Sequence, residues 1–389
     1  MTFLIQIPQL IFGGAEKVLV SFANDLVSRG HSVEILEIYE KGLLKDQFDP
    51  RVTFHAICSH DYTAKYYASL SQIRAATGMD KLRCCGKQLF SKIVGYRKFA
   101  EKLAAKHYAE HEFDVAINYL ETDSPKFLLD CIQAKKYLQW IHIDISQLEN
   151  PADLNDYLPL YERMDGIVCV SQIAKNSFAH RYPSLALKTV VIYNFYDRDD
   201  ILQKGGTLFS FDSLRPVLLS VGRMTEQKKY LRFLDVLARL RDEGFDFSWH
   251  VLGAGIQEDE IRAKIAALKL EDRVFLDGLT DNPYKYMKNC DLFVLPSGWE
   301  GFPTVTVEAK ILGCPVLATE VAGIREQLRH GETGWIVENS EEGIFNGLKH
   351  FFLHSELQDI LRNKLGMEQI CENTNKYRKL IQLCEVNDT

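Results

Sequence analysis

The chain has 389 residues, of which 46% are apolar and 25% charged, and this length accommodates two domains of ordinary size. A net charge of −7 at pH 7 argues against general nucleic-acid binding, and no run of about 18 apolar residues predicts a membrane-spanning helix. The nine cysteines show no Cys-x-x-Cys spacing, which predicts a reducing, cytoplasmic setting and no zinc site.

The first half alternates short apolar strands with amphipathic helices. Residues 3–8 predict a buried first strand, and the glutamines near it argue against a signal peptide. Gly13 and Gly14 mark a turn into a helix, after which residues 31–39 predict a second strand. This βαβ unit implies parallel strands and a right-handed crossover. Further strands are predicted at residues 114–119, 137–141, 166–170 and 188–193.

Residues 63–107 form a basic, aromatic-containing segment of the first half. From Lys65 to Lys106 the chain has ten basic residues against two acidic ones, Asp80 and Glu101. Apolar residues are interleaved at roughly helical spacing, which is typical of helices that lie on anionic lipid. A solvated helix face over the core gives the same pattern, and the sequence leaves both interpretations open.

The second half repeats the alternation after a break. Residues 195–215 are polar, contain paired glycines and show no clear period, so they predict a linker. A second series of strands and helices follows over residues 216–370, and a final helix is predicted within 371–389, which we expect to pack back on the first domain. The predicted fold class is α/β, with two Rossmann-like, doubly wound domains, residues 1–194 and 216–370, that face a central cleft.

Two cations follow the first strand of the second domain. Arg223 comes directly after Gly222, and Lys228 follows five residues later as a helix begins. Arg binds phosphate oxygens in a fork and Lys supplies a compact charge, so this pair suits a diphosphate at the edge of a sheet. The alternative interpretation is a pair of ordinary surface cations.

The loop LPSGWEGFPTVTVEA carries two glutamates, Glu300 and Glu308, separated by seven residues. Pro303 and Thr304 predict a helix start, with Glu300 on the preceding loop and Glu308 within the helix. Backbone N–H groups near Thr304 and Val305 would then offer an anion site without a metal. The carboxylates suit hydroxyls of a ribose and a transferred hexose, although glutamates near a helix start also simply favour its dipole.

In the first domain, Gly13 and Gly14 let a phosphate approach a helix N-terminus, or they mark an ordinary turn. An Asp-x-Asp match at Asp197 and Asp199 falls in the predicted linker, and we interpret it as accidental rather than metal-binding. Neither Gly13-Gly14 nor Gly253-Ala254-Gly255 completes the G-x-G-x-x-G turn of a dehydrogenase.

Two motifs together resemble the nucleotide-sugar signature of the GT4 family of retaining GT-B glycosyltransferases. They are Gly222-Arg223 followed by Lys228, and EGFPTVTVEA at residues 300–309. GGAEK near the N-terminus, SQIAK at residues 171–175, VIYN ending at Asn194 and LGAG at residues 252–255 are also similar to the family's pattern. One departure is Lys229, where the family often has Gly or Asn.

The resemblance implies roles for individual residues. Arg223 and Lys228 would contact the donor diphosphate, Glu308 the ribose hydroxyls and Glu300 the hexose. His142 follows a predicted strand where the family has a His facing the transferred sugar, although a lone His is usually structural; Asp144 would orient it or cap the next helix. The predicted catalytic residues are Glu300, His142, Arg223 and Lys228, and the predicted donor-binding residues are Gly13, Gly14, Gly222, Arg223, Lys228, Glu300, Gly301, Phe302, Pro303, Thr304, Val305 and Glu308.

The implied function is retaining transfer of a hexose or N-acetylhexosamine from a nucleotide diphosphate sugar, such as a UDP-sugar. The expected acceptor is a saccharide, with a lipid-linked one in surface polysaccharide or glycoconjugate assembly as a specific hypothesis. We expect no cofactor, no metal requirement, and a cytoplasmic protein with peripheral contact at the inner membrane face. The alternatives are a non-catalytic GT-B partner subunit and a nucleotide-sugar epimerase.

Overall fold

The computed structural model describes residues 1–11, 13–147, 157–354, 356–365 and 372–385. Among these residues it contains two β-sheets, and all strand pairs within them are parallel. The predicted α/β fold with two doubly wound sheets is confirmed.

The first sheet has the order β3-β2-β1-β4-β5-β6-β7. Its strands are β1 Thr2–Ile7, β2 Ser32–Tyr39, β3 Thr53–Cys58, β4 Glu112–Asn118, β5 Gln133–Ile141, β6 Gly166–Cys169 and β7 Thr189–Val191. The helices of this half are α1 Gly14–Ser28, α2 His60–Tyr66, α3 Leu70–Ala75, α4 Gly78–Phe90, α5 Tyr96–Tyr108, α6 Lys126–Cys131, α7 Leu158–Tyr161 and α8 Gln172–Arg181.

The second sheet has the order β10-β9-β8-β11-β12-β13. Its strands are β8 Val217–Val221, β9 Ser248–Leu252, β10 Val274–Gly278, β11 Leu292–Leu295, β12 Val316–Thr319 and β13 Trp335–Val337. The helices of this half are α9 Arg198–Gly205, α10 Tyr230–Asp242, α11 Glu258–Ala267, α12 Tyr284–Asn289, α13 Thr304–Ile311, α14 Ile324–Gln327, α15 Glu341–Leu353, α16 Glu356–Leu365 and α17 Asn373–Cys384. Among the described helices, none combines the length and apolar character that crossing a membrane requires.

The strand predictions succeed where both faces of the sheet are covered by helices. Strands β6, β11 and β12 are buried along their whole length and read as continuous apolar runs. Strand β3 is missing from the sequence prediction. It lies at the edge of its sheet and buries only its last two residues, so its sequence, TFHAIC, lacks a long apolar run.

The segment predicted as a linker, residues 195–215, contains helix α9. The Asp197 carboxylate accepts a hydrogen bond from the backbone N–H of Asp200 at 2.9 Å and so caps this helix. Ile201 packs into the core of the second domain, while most other side chains of α9 stay accessible. The helix therefore reads as polar and aperiodic in sequence.

Helix α17 comes last in the chain but packs on the first domain. Leu380 and Cys384 lie in the core of the first sheet, and the Tyr377 hydroxyl is 2.7 Å from Nε2 of His31. The ammonium of Lys376 donates to the carbonyl of Asn194 at 2.7 Å. Residues 366–370 of the predicted second domain, and residues 371 and 386–389 of the predicted final segment, lie outside the described residues.

The strand order reverses direction once in each sheet, between β1 and β4 and between β8 and β11. In open parallel sheets the loops at such a reversal diverge and leave a crevice at the carboxyl ends of the strands, where ligands bind. A ligand site is therefore expected among the loops that follow these strands.

We expect Leu380→Ala to lower the free energy of unfolding by about 2–5 kcal/mol, because it removes a fully buried side chain between α17 and the first sheet. Urea unfolding followed by circular dichroism measures the change. Leu187→Ala is the matched control, since Leu187 is fully exposed and its loss should cost no more than about 0.5 kcal/mol. Equal effects of the two substitutions would contradict this packing.

Candidate donor site between the two sheets

The predicted site residues other than His142 follow strands at the two strand-order reversals. Gly13 and Gly14 follow β1, Arg223 follows β8, and Glu300 follows β11. His142 directly follows β5, one strand further along the first sheet. The topology thus brings loops that are far apart in sequence to one crevice.

Lys228 and Glu300 form an ion pair within the second domain. Nζ of Lys228 is 2.6 Å from Oε1 of Glu300, and their side chains are only 12% and 8% exposed. The hydroxyl of Ser297 donates to the same oxygen at 2.7 Å, and Nε2 of Gln227 donates to Oε2 at 3.2 Å. A pair withdrawn from water to this extent needs such additional hydrogen bonds to offset the loss of hydration.

Side chains that the sequence analysis missed hold the loop before Glu300. Nε2 of Gln227 also donates to the carbonyl of Trp299 at 3.0 Å. The guanidinium of Arg232 donates to the carbonyl of Pro296 at 2.7 Å, and Nδ2 of Asn339 donates to that of Gly298 at 2.8 Å. Burial lowers the pKa of Arg232. Only the position of Gln227 beside Lys228 offered a sequence signal for any of them.

Helix α13 begins at Thr304, where the sequence predicts it, with Pro303 extended at its N-cap. Nε2 of Gln327 donates to the Pro303 carbonyl at 3.1 Å, which fixes the turn into the helix. Glu308 lies one turn after Thr304 and is buried. The first N–H groups of α13 have no partner within the helix, as an anion site requires.

The first domain closes over this helix at two glycines, one from each domain. A β-carbon placed on Gly14 would lie 3.4 Å from Oγ1 of Thr304. A β-carbon on Gly301 would lie 2.5 Å from the carbonyl oxygen of His142, so a side chain at this position would collide with backbone of the other domain. Phe302 packs against the apolar cores of both domains.

His142 lies in this contact with its imidazole buried. Its backbone N–H donates to the Glu121 carboxylate at 2.9 Å, and its ring lies 4.7 Å from that of Tyr119. Burial lowers the pKa of His142 to about 3, partly offset by a hydrogen bond with the Tyr119 backbone. In the described part of the chain Nε2 has no hydrogen-bond partner. The imidazole is therefore neutral at physiological pH, and its Nε2 is a buried atom whose hydrogen-bonding capacity is unused among the described residues.

Asp144 does not orient His142. Its carboxylate accepts hydrogen bonds from the backbone N–H and the hydroxyl of Ser146, at 3.0 and 2.7 Å, and caps the helical turn that follows. The sequence left two roles open for Asp144, orienting His142 or capping the next helix, and the structure shows the cap. Glu121 holds the backbone of His142 instead, and no sequence pattern pointed to it.

Arg223 is the accessible cation of the site. Its guanidinium makes no hydrogen bond or ion pair with another described side chain. Its positive charge nevertheless interacts electrostatically with the carboxylate of Glu16 in α1. Burial raises the pKa of Glu16, and its backbone hydrogen bond and Arg223 lower it in part. Gly222 makes room for the neighbouring cation, since a β-carbon there would lie 2.9 Å from Cε of Lys228.

Comparisons with known proteins show which family and fold the chain resembles. Residues 209–366 match the model of the family described as glycosyl transferases group 1. The second domain is thus similar to glycosyltransferases of the GT4 kind. Over 207 residues it is 33% identical to an enzyme of Campylobacter jejuni named N-acetylgalactosamine-N,N'-diacetylbacillosaminyl-diphospho-undecaprenol 4-alpha-N-acetylgalactosaminyltransferase, a match that covers 53% of this chain and 55% of that enzyme.

Two broader similarities extend over nearly the whole chain. An uncharacterized glycosyltransferase of Haemophilus influenzae is 24% identical over 377 residues, which cover 92% of this chain and 94% of the relative. The crystal structure of HepE from Anabaena with UDP and glucose superposes with a TM-score of 0.72 at 18% identity, covering 98% of both chains. This last similarity confirms the GT-B fold. The curated relative from Campylobacter is spanned over only about half its length.

The departure at Lys229 has a visible consequence. Lys229 adopts a left-handed conformation, with φ 52° and ψ 34°, at the N-cap of α10. Glycine and asparagine tolerate this conformation, whereas other residues lose about 1–2 kcal/mol in it. The backbone thus explains why Gly or Asn suits this position.

We expect Lys229→Gly to be more stable than Lys229→Ala by about 1 kcal/mol, because both remove the same side chain and differ mainly in tolerance of positive φ. Chemical denaturation of the two variants measures the difference. At Lys349, within the regular helix α15, the order should invert by a similar amount, with Ala above Gly. An Ala variant that is the more stable at both positions would contradict the left-handed backbone.

Proposed function

We propose that this protein is a retaining glycosyltransferase that moves a hexose or N-acetylhexosamine from a nucleotide diphosphate sugar to a saccharide acceptor. The observation that carries the proposal is the buried Lys228–Glu300 pair at the N-terminus of α13, in a crevice that the first domain closes. A cation, a carboxylate and free N–H groups in one place match a donor that combines a diphosphate with sugar hydroxyls.

The chemical demand of this reaction is the negative charge that develops on the departing nucleoside diphosphate. Arg223, Lys228 and the first turn of α13 would stabilise this charge in a largely dry crevice. Glu300 would accept a hydrogen bond from the hexose, and the neutral His142 would face the sugar through Nε2. We propose that these fixed positive groups serve in place of a metal ion, with the acceptor attacking on the face that the nucleotide leaves.

Two relatives support the choice of substrates. HepE of Anabaena was crystallised with UDP and glucose, and we propose a UDP-sugar as the first donor to test here. The name of the Campylobacter enzyme contains a diphospho-undecaprenol-linked saccharide. For this chain we propose a lipid-linked saccharide acceptor in surface polysaccharide or glycoconjugate assembly.

A surface of α4 and the turn after it supports a membrane-associated acceptor. Met79, Leu82 and Leu89 lie on one side of α4 and are 72%, 69% and 60% exposed, and Ile93 in the following π-helical turn is 74% exposed. Lys and Arg residues are interspersed throughout this segment. Exposed apolar side chains among basic ones fit the interface of an anionic bilayer, so we propose peripheral contact with the inner, cytoplasmic membrane face.

Donor binding should stabilise the folded protein, so we expect one nucleotide family among UDP-, GDP-, ADP- and dTDP-sugars to raise the melting temperature. At a concentration about 100 times its Kd the donor would add about 2.7 kcal/mol. The increase should survive EDTA. Lys228→Ala should abolish it, whereas Lys264→Ala, which removes a lysine of α11 that is paired with Asp235 of α10, should retain it.

The same donor then enters a transfer assay with lipid-linked saccharides. Turnover should fall about a hundredfold in Lys228→Ala, the scale seen when a partner of transition-state charge is removed. Binding without any turnover would favour a partner subunit, and a modified sugar nucleotide formed without acceptor would favour an epimerase. Either result, or a melting temperature unchanged by all four nucleotide families, contradicts the proposed transferase.

We expect the protein to float with vesicles that contain phosphatidylglycerol at low salt and to stay in solution with purely zwitterionic vesicles, because the surface of α4 combines apolar and basic side chains. Replacing Leu82 and Ile93 by Gln should abolish flotation. Replacing Leu187 and Leu208, which are fully exposed elsewhere, is the matched control and should have no effect. If the protein still floats after each of the two double substitutions, the surface of α4 is not the membrane contact.

A further inference from the structure

Lys17, in the first turn of α1, is the last residue of the GGAEK motif and crosses between the domains; no sequence pattern assigned it a role of its own. Its Nζ is 3.4 Å from Oε1 of Glu308 in α13, and it lies 4.5 Å above the ring of Tyr284 in α12. Both partners are buried residues of the second domain, while the Lys17 side chain is 34% exposed. A single flexible lysine of the first domain is thus held by two groups of the second.

The first turns of α1 and α13 lie side by side at this point. Gly14 contacts Thr304, and one turn further along each helix Lys17 contacts Glu308. The two helix N-termini, with their partial positive charges, therefore meet at the crevice. Lys17 lies directly beside the carboxylate that the family resemblance assigns to the ribose.

The Glu308 carboxylate depends on Lys17. It is 4% exposed, and within the described part of the chain no other cation lies within 4 Å of it and no other side chain donates to it. A buried carboxylate that loses its cation either takes up a proton or turns toward water. In either case its acceptor oxygens would no longer be fixed toward a ligand.

We propose that Lys17 is a positioning residue of the donor site, which holds the Glu308 carboxylate in the orientation that receives the ribose hydroxyls. This inference rests on the proposed function. It makes recognition of the ribose depend on both domains, because the cation comes from the first domain and the carboxylate from the second. Glu308 would then be correctly oriented only when the cleft is closed.

The test compares UDP with 2′-deoxy-UDP by calorimetry, in the wild type and in Lys17→Met, Lys17→Arg and Lys264→Met. The wild type should bind UDP at least about tenfold more tightly, the scale of a hydrogen bond to a charged group. Lys17→Met should reduce this ratio to below about threefold, while Lys17→Arg restores it and Lys264→Met leaves it unchanged. Melting temperatures without nucleotide show that each variant is folded.

The outcomes separate this inference from the proposed function. If Lys17→Met binds UDP more weakly but keeps the wild-type ratio, Lys17 only stabilises the cleft and the inference is wrong. If the wild type binds UDP without preferring it over 2′-deoxy-UDP, the inference is wrong while a nucleotide-binding transferase stands. A wild type that binds no nucleotide at all overturns both. If the donor panel selects guanosine or adenosine, the test uses that nucleoside diphosphate and its 2′-deoxy form in place of the UDP pair.

Discussion

The buried ion pair of Lys228 and Glu300 is the constraint around which the crevice is organised. Two charges can be withdrawn from water only if their remaining hydrogen-bonding capacity is satisfied, and Ser297 and Gln227 supply those bonds. Gln227 further binds the Trp299 carbonyl. The loops after β8 and β11 are thereby joined into one unit, and the position of α13 follows from it, because its N-terminus is the continuation of the same loop.

The second domain alone does not complete the crevice. Backbone of His142 lies against Gly301, Gly14 lies against Thr304, and Phe302 takes part in both apolar cores. Away from the crevice, the Glu326 carboxylate accepts backbone N–H groups of Gln172 and Ile173 at the start of α8, at 2.8 and 3.2 Å. The relation of the two domains is therefore defined by polar and close backbone contacts as well as by apolar packing. Such contacts tolerate little displacement, since a hydrogen bond weakens steeply with distance and angle.

The sequence predicts local features of this protein much better than its long-range contacts. The apolar runs predict nearly all strands, and Pro303 with Thr304 predicts the start of α13, because these signals are carried by adjacent residues. Edge strand β3 and helix α9 were not predicted, because each buries only two residues and so leaves no apolar pattern in the sequence. The partners of His142 and Glu308 could not be predicted, since Glu121 and Lys17 lie 21 and 291 residues away along the chain. Asp144 shows the same limit. His142, two residues before it, was a plausible partner in the sequence, but in the structure Asp144 bonds to Ser146 instead.

Burial divides the charges of the crevice into two kinds. Lys228 is already neutralised by Glu300, and His142 is held neutral by burial, so neither adds free positive charge to the crevice. Arg223 is exposed and has no side-chain partner among the described residues. An arriving diphosphate would therefore be attracted first by Arg223 and by the N-terminus of α13, whose charges are not compensated locally. Lys228 would then contribute only as the Glu300 carboxylate exchanges part of its contact with the ammonium for the hydroxyls of the sugar. Under the proposed function, the pair that joins the loops of the crevice is thus also the pair whose rearrangement accompanies donor binding.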